Sequence, residues 1–240
     1  MRNSFLFLSI LLIGLSNVIL AQENVSICEI QGPGAISQYD GQVVITKGIV
    51  TADFQADDQL SGFFIQDDLC DLGRPSSKGL FVYTGSNPEV IEIGDEVEVV
   101  AEVKEFFDLT ELTDIASLNI LSSNNSFETV ELSLPLSRRA DLEFYEGMHV
   151  QFAQDLFVTD HFNLARFGEL SLCSVNILPI PTQIVDPNDS QVDGTNYEGS
   201  SNVQAIWNQQ ENNERNYIVM DDGSTRSSPS PTPYINPAKG

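Results

Sequence analysis

The stretch DEVEVVAEVKEF, residues 95–106, decides the fold class, because acids and valines alternate along it: Glu96, Glu98 and Glu102 mark one side, Val97, Val99 and Val103 the other. A period of two makes a strand with one wet face and one packed face. Around it lie QVVITKGIVTAD (42–53), GFFIQD (62–67), GLFVYT (79–84) and ASLNILS (116–122), β-branched and aromatic runs separated by Gly, Asp and Asn. Helical periodicity is nearly absent, so an all-β chain is expected. Five such runs within residues 22–122 suit a small closed barrel of the OB type. Gly48, midway along the first run, is the expected place for a bulge or bend that lets one long strand serve both sides of the barrel.

A second block opens at YEGMHVQFAQDLFVTDHF (145–162) and can be laid on YDGQVVITKGIVTADF (39–54). In both, Tyr, an acid and Gly lead to a Val three residues later, then to Val-Thr and an Asp before a Phe; the second copy is two residues longer between the valines. A divergent repeat predicts two related barrel-like halves packed together, 22–122 and 145–222, joined by the connector 123–144. The Pro-, Asp-, Asn- and Gly-rich run 179–199 reads as a surface loop. One short helix is expected near 201–212: Ser201 with Gln204 makes a capping box, and Val203, Ile206, Trp207 and Gln210 share a face, which makes Trp207 a core anchor. A last strand, NYIVMDD (216–222), precedes GSTRSSPSPTPYINPAKG (223–240), a Pro/Ser-rich linker by composition.

Residues 1–21 have the form of a secretory signal peptide: Arg2, an apolar run from Phe5 to Leu15 and a cleavage position after Ala21. The expectation is a secreted protein, extracellular or periplasmic, with no membrane attachment after cleavage. Lys and Arg number 11 against 35 Asp and Glu, a formal net charge of −24, and cleavage removes Arg2 and no acid. A hydrophobic fraction of 41% is too high for a disordered acidic tail, so a folded body with an acidic surface is expected. That balance makes a poor stand-alone binder of nucleic acid or anionic lipid, because phosphate affinity rests on Lys and Arg. Cys28, Cys70 and Cys173 have no zinc-site spacing; in an oxidising compartment they give one disulfide and one leftover thiol. All three pairings are open, with Cys28–Cys70 preferred.

The stretch VTDHFNLARFGELSL (158–172) carries Asp160-His161, which has the look of an acid/base pair, and Arg166, a residue type that holds phosphate. It falls between two expected strands, where polar residues belong in any case. The chain has only two histidines, His149 and His161, and lacks the Gly-x-Ser-x-Gly, P-loop and His-Glu-x-x-His patterns. Asp57, Asp58, Asp67, Asp68 and Asp71 bracket the first hairpin and are the candidate oxygen ligands for a calcium ion, although no EF-hand loop is present.

Eight ordered segments carry a family resemblance: EIQGPGAIS (29–37), GIVTADFQ (48–55), GFFIQDD (62–68), KGLFVYTG (78–85), GDEVEVVAEVKEFFDLTEL (94–112), LEFYEGMHV (142–150), VTDHFNLARFGELSL (158–172) and NYIVMDDGSTRSSPSPTPY (216–234). In this order they resemble the N-terminal region of secreted bacterial nucleases of the ExeM/NucH-like group, in the endonuclease/exonuclease/phosphatase superfamily. The resemblance implies a non-catalytic OB-like accessory region, with Asn163-Leu164-Ala165-Arg166-Phe167-Gly168-Glu169 as a signature of that region. It also implies that hydrolysis, and the magnesium or manganese it uses, belongs to a catalytic domain beyond the Pro-rich segment, so no activity is expected of these 240 residues. Nucleic acid would be met through that partner domain. If this region itself touches a strand, the expected contacts are Phe106, Phe107, His161, Arg166 and Phe167, since single strands are held by aromatic stacking and basic groups. A stand-alone extracellular β module binding calcium, glycan or a surface partner is the alternative expectation.

Overall fold

The computed structural model describes residues 23–186 and 202–235. Residues 1–22, 187–201 and 236–240, among them the expected signal peptide, Ser201 and part of the expected loop, lie outside the described residues. The chain is all-β with short helices. Strands β1 (Glu23–Asn24), β2 (Val43–Phe54), β3 (Gly62–Gln66), β4 (Gly79–Tyr83), β5 (Glu96–Phe106) and β6 (Leu109–Ser122) form one sheet in the order β1-β2-β3-β4-β6-β5, and β5 returns to pair with β2. Strands β2 to β6 therefore close into a five-stranded barrel in which β4 and β6 run parallel and the other neighbours antiparallel.

Closure depends on β2 serving two partners. Val43 to Ile49 pair with β5, and Ile49 to Phe54 pair with β3. Gly48 sits at the changeover, where an added Cβ would lie 3.0 Å from both Ile27 Cδ1 and Ile65 Cβ. The irregular register itself falls slightly later, between Val50 and Ala52. Glycine thus supplies room for the core at the bend, and the bulge follows it. The alternation in β5 is the one the sequence predicts: Val97, Val99, Ala101 and Val103 are fully buried, and meet Phe63, Ile65, Leu80 and Val82 inside the barrel. The short helix α1 (Ile27–Gln31) adds Ile27 and Ile30 to this core, and a Cys28–Cys70 disulfide ties it to the β3–β4 connection. Cys173 is the free thiol and is buried.

Residues 145–222 differ from the expected second barrel. Their described strands lie in two small sheets: β8 (Val150–Phe152) pairs in parallel with β7 (Val130–Leu132), a strand of the expected connector, and β10 (Leu170–Cys173) sits between β9 (Phe157–Asp160) and β11 (Ile218–Met220). The repeat survives as a turn. Gly41 and Gly147 both take left-handed φ values, 76° and 66°, and each leads into a strand. The first strand then runs 12 residues, whereas the second stops at Phe152 and resumes at Phe157 in another sheet. Strands of three and four residues are too short to form a barrel wall.

A 3-10 helix (Arg139–Tyr145), α2 (Leu164–Phe167) and α3 (Pro181–Ile184) punctuate this half, and α4 (Asn202–Arg215) is the expected helix. Its tryptophan is not a core anchor. Trp207 is 68% exposed, beside Gln204, Gln210, Glu211 and Glu214, because the apolar stripe has too few members to hold the helix face inward. Trp207→Ala is accordingly expected to change stability by no more than about 0.5 kcal/mol, read from a denaturant midpoint. A loss of several kcal/mol would place the ring in a core after all.

Candidate functional site

The pleat turns Phe63 and Ile65 into the barrel and Phe64 and Gln66 out of it. Phe64 joins a row of rings across β2, β3 and β4: Phe54 meets it edge-on at 6.0 Å between centroids, and Phe81 meets it tilted at 4.9 Å. An outward aromatic row on a small barrel is the kind of surface on which bases or sugars stack. Here the chain's own later residues lie on it. Gln66 is fully buried: its amide donates to the Glu128 carbonyl (2.9 Å) and its Oε1 accepts from the His149 N–H (3.0 Å). Gly79 lies so close to Gly147 that an added Cβ would be 2.2 Å from the Gly147 carbonyl carbon. Phe81, outward on β4, is only 4% exposed.

The segment that composition marks as a linker is also held against the barrel. The Thr225 N–H donates to the Asp58 carbonyl (2.7 Å), Arg226 pairs with the Asp58 carboxylate (3.0 Å), and the Ser228 N–H donates to the Arg166 carbonyl (2.8 Å). Gly223 has no room for a side chain, since a Cβ would lie 2.7 Å from the Phe54 ring. Between tail and barrel runs a groove of about 540 Å³ lined by Phe54, Leu60, Phe64, Met220, Asp221, Asp222, Gly223 and Tyr234.

The expected strand-binding residues fall into two groups at opposite ends of β2. Phe106 and Phe107 form the tip of the β5–β6 hairpin, 48% and 90% exposed, with Lys104 over the Phe106 ring at 5.6 Å. Phe107 and Asp108 make the two-residue turn, both with positive φ. His161, Arg166 and Phe167 lie around α2, beside the tail that is tied to the β2–β3 loop. The 12 residues of β2 separate the groups by roughly 35 Å of chain contour. They stand on different elements, the β5–β6 hairpin and the α2 turn.

The opening of the Asp160-His161 stretch is structural in its contacts. The Asp160 carboxylate accepts the Phe162 N–H (2.9 Å), an Asx turn, rather than orienting His161. In α2, Asn163 donates to Glu169 (2.8 Å), the Arg166 guanidinium stacks on Phe167 at 4.8 Å, and Gly168 ends the turn in left-handed conformation with the Asp222 carboxylate filling the place of its missing side chain. The Asn-Leu-Ala-Arg-Phe-Gly-Glu signature therefore forms the seat of the C-terminal segment. His149 is held too: its Nδ1 meets the Thr129 hydroxyl at 2.9 Å, and its ring lies against Phe127.

The proposed calcium ligands are not gathered. Asp57 and Asp58 precede β3, whereas Asp67, Asp68 and Asp71 follow it. Asp58 is taken by Arg226, Asp68 by Gln66 and the Glu128 N–H, and Asp71 by the Gly73 N–H. Among the described residues, no three His, Cys, Asp or Glu side chains are grouped so as to hold a metal ion.

An acidic patch lies where the 3-10 helix meets the barrel. Glu146 Oε1 accepts from both the Thr110 N–H (3.0 Å) and the Gln31 amide (3.2 Å). Burial, helped by Glu143 and Glu105 and opposed by these two hydrogen bonds, raises its pKa from 4.5 to about 6. Burial and repulsion from Glu105 and Asp108 also push Glu143 upward. A raised carboxyl pKa favours folding most below its unfolded value, and that contribution is lost as pH rises through about 6. Stability should therefore increase as pH falls from 7.5 towards 5. Glu146→Gln keeps an Oε1 acceptor for both donors and should gain about 1 kcal/mol at pH 7.5 after discounting for solvent screening, with a flatter pH profile. Urea midpoints between pH 5 and 8 test this, and a Gln variant weaker than wild type at pH 7.5 would refute it.

No family model matches the chain, and no curated protein matches it significantly. Among the described residues no helix is long and apolar enough to cross a membrane.

Proposed function

We propose that the chain is the non-catalytic, OB-type accessory region of a secreted metal-dependent nuclease, and that its role is packing and presentation of a neighbouring domain rather than independent strand binding. The observation that carries this reading is the partly covered outer face of the barrel: Gln66 is buried against Glu128 and His149, Gly79 is pressed against Gly147, and Gly223 packs on the Phe54 ring. The hairpin tip left exposed at Phe106 and Phe107 is flanked by Glu105, Asp108 and Glu143, whose mutual repulsion marks a place that resists phosphate. The resemblance to the nuclease group suggests what that neighbouring domain would be. The chain direction suits it as well, since residues 223–228 are fastened to Asp58 and Arg166 and would hand a following domain to the barrel from a fixed point. The test is the intact mass of the native secreted product, captured with an antibody against residues 22–240. A species far heavier than the 26.4 kDa of this chain supports the reading. A species at the mature mass of this chain alone sinks it.

One observation favours a second reading, an independent sugar-binding module. A cleft of about 600 Å³ at the end of β4 is lined by Tyr83, Thr84, Gly85, Ser86, Asn87, Glu89, Thr113, Asp114 and Ile115. An exposed ring beside hydroxyl, amide and carboxylate groups suits a neutral polyol, and the absence of any Lys or Arg from this lining disfavours an anion. Binding on a glycan array that Tyr83→Ala abolishes would move this reading ahead of the first.

A further inference from the structure

The groove between the barrel and the C-terminal segment has a chemistry that neither reading uses. Its floor is apolar and aromatic, from Phe54, Leu60 and Phe64. Met220 and Tyr234 border it as well, and Tyr234 keeps 48% exposure. At its rim stand Asp221 and Asp222. Each spends one oxygen on a nearby backbone N–H: Asp221 Oδ1 accepts from Gly223 (2.6 Å) and Asp222 Oδ1 from Ser224 (2.9 Å). Among the described residues neither carboxylate has an ion pair, whereas Asp58, close by, has taken Arg226. The Tyr234 hydroxyl has its pKa raised by burial and then by Asp222 and Asp221, which places both charges within reach of the groove.

Rings beneath and carboxylates above form an environment for a cation on an apolar stem. Aromatic faces attract a guanidinium through their quadrupole, and a carboxylate receives it through charge-assisted hydrogen bonds. Phosphate is excluded by the same two carboxylates. We propose that this groove receives an arginine side chain presented by a segment of a partner protein, its stem against Phe54, Phe64 and Leu60 and its guanidinium between Tyr234 and the Asp221–Asp222 rim. The partner's charge follows from the chain's own: a surface carrying a formal −24 draws basic segments towards it before any contact forms. Arginine suits the site better than lysine because its flat fork stacks on a ring and bonds to a carboxylate at once. The proposal stands independently of the nuclease reading, since it rests on the groove alone.

The experiment uses residues 22–240 at low ionic strength, titrated with the tripeptide acetyl-Gly-Arg-Gly-amide and with the same peptide carrying neutral citrulline, observed by NMR at the aromatic protons. The expected result is shifts confined to Phe54, Phe64 and Tyr234, with the arginine peptide about tenfold tighter than citrulline. Asp221→Asn with Asp222→Asn keeps a side-chain oxygen to accept each backbone N–H and should lower the arginine affinity about tenfold while leaving the citrulline peptide unchanged. An unaltered melting temperature in that variant separates a lost contact from a lost fold. Equal binding of the two peptides, shifts elsewhere on the surface, or displacement of the arginine peptide by a single-stranded oligonucleotide would each overturn the assignment.

Discussion

Gly79→Ala is expected to cost about 3 kcal/mol or more and to unseat residues 145–149 from the barrel, since its added Cβ would make the closest approach of any among the described glycines. Its added Cβ would lie 2.2 Å from the Gly147 carbonyl carbon, 2.4 Å from that carbonyl oxygen and 2.4 Å from the Met148 nitrogen. All three are backbone atoms, so no rotamer change relieves the contact. Gly147 cannot give way cheaply, because its φ is +66° and its own Cβ position is 2.9 Å from Leu80 N. What must move is the whole segment, and with it the His149 N–H bond to Gln66 and the Glu146 bonds to Thr110 and Gln31. Hydrogen exchange should rise at 145–149 while strands β2 to β6 stay protected. Gly34→Ala is the control, since nothing lies within 4 Å of its Cβ position and the glycine is outside the left-handed region. Wild-type stability in Gly79→Ala would mean that the second half does not sit on the barrel as described.

The second large effect belongs to the disulfide. Cys28 and Cys70 are 42 residues apart in sequence, and closing a loop of that size stabilises by about 4 kcal/mol in the chain-entropy account. Replacing both by serine should lower the melting temperature by about 10 °C, given a few degrees per kcal/mol for a chain of this size. The loss should be felt first at α1, because the bridge and the Ser76 hydroxyl bond to the Cys28 carbonyl (2.7 Å) hold it near β4. Alkylation of the unfolded, unreduced protein should add one label, at Cys173. Two or more labels, or a melting temperature indifferent to reduction, would contradict the bridge.

The barrel was legible because its strands are long enough to repeat the alternation. Val97 to Val103 announce an inside and an outside, and the neighbouring runs are recognisable as strands by their β-branched, aromatic or otherwise apolar residues, although they do not say which face is inward. The start of β6 was hidden. It begins at Leu109, seven residues before the expected run, because the hairpin turn is Phe107-Asp108, and neither residue is a glycine or asparagine that would signal positive φ. The second half was hidden for a different reason. In strands of three or four residues, two alternations cannot be told from chance, and the partners of β8 and β9 lie in separate sheets. Trp207 shows the limit of a helical stripe, which names a face but not what covers it.

The site was less legible than the fold. Phe63-Phe64 reads equally well with either ring inward, and only the register Phe64↔Phe81 builds the aromatic row. The tail's composition gives a linker, whereas its contacts are made largely by backbone groups of Thr225 and Ser228, which composition does not report. Arg166 and Phe167 do stand out in the sequence. What cannot be read there is that Arg166 offers its carbonyl to the tail and its guanidinium to a neighbouring ring.

The measurement that tests the covered barrel face most directly is the affinity of residues 22–240 for a single-stranded oligonucleotide at low salt, followed by fluorescence anisotropy. A chain whose aromatic row is narrowed by its own residues to a groove rimmed by Asp221 and Asp222, and whose exposed hairpin is ringed by acids, should show no saturable binding up to about 100 μM. Micromolar binding that weakens steeply with salt and is lost on Phe64→Ala would contradict the account, because it would mean that the face is open to a strand.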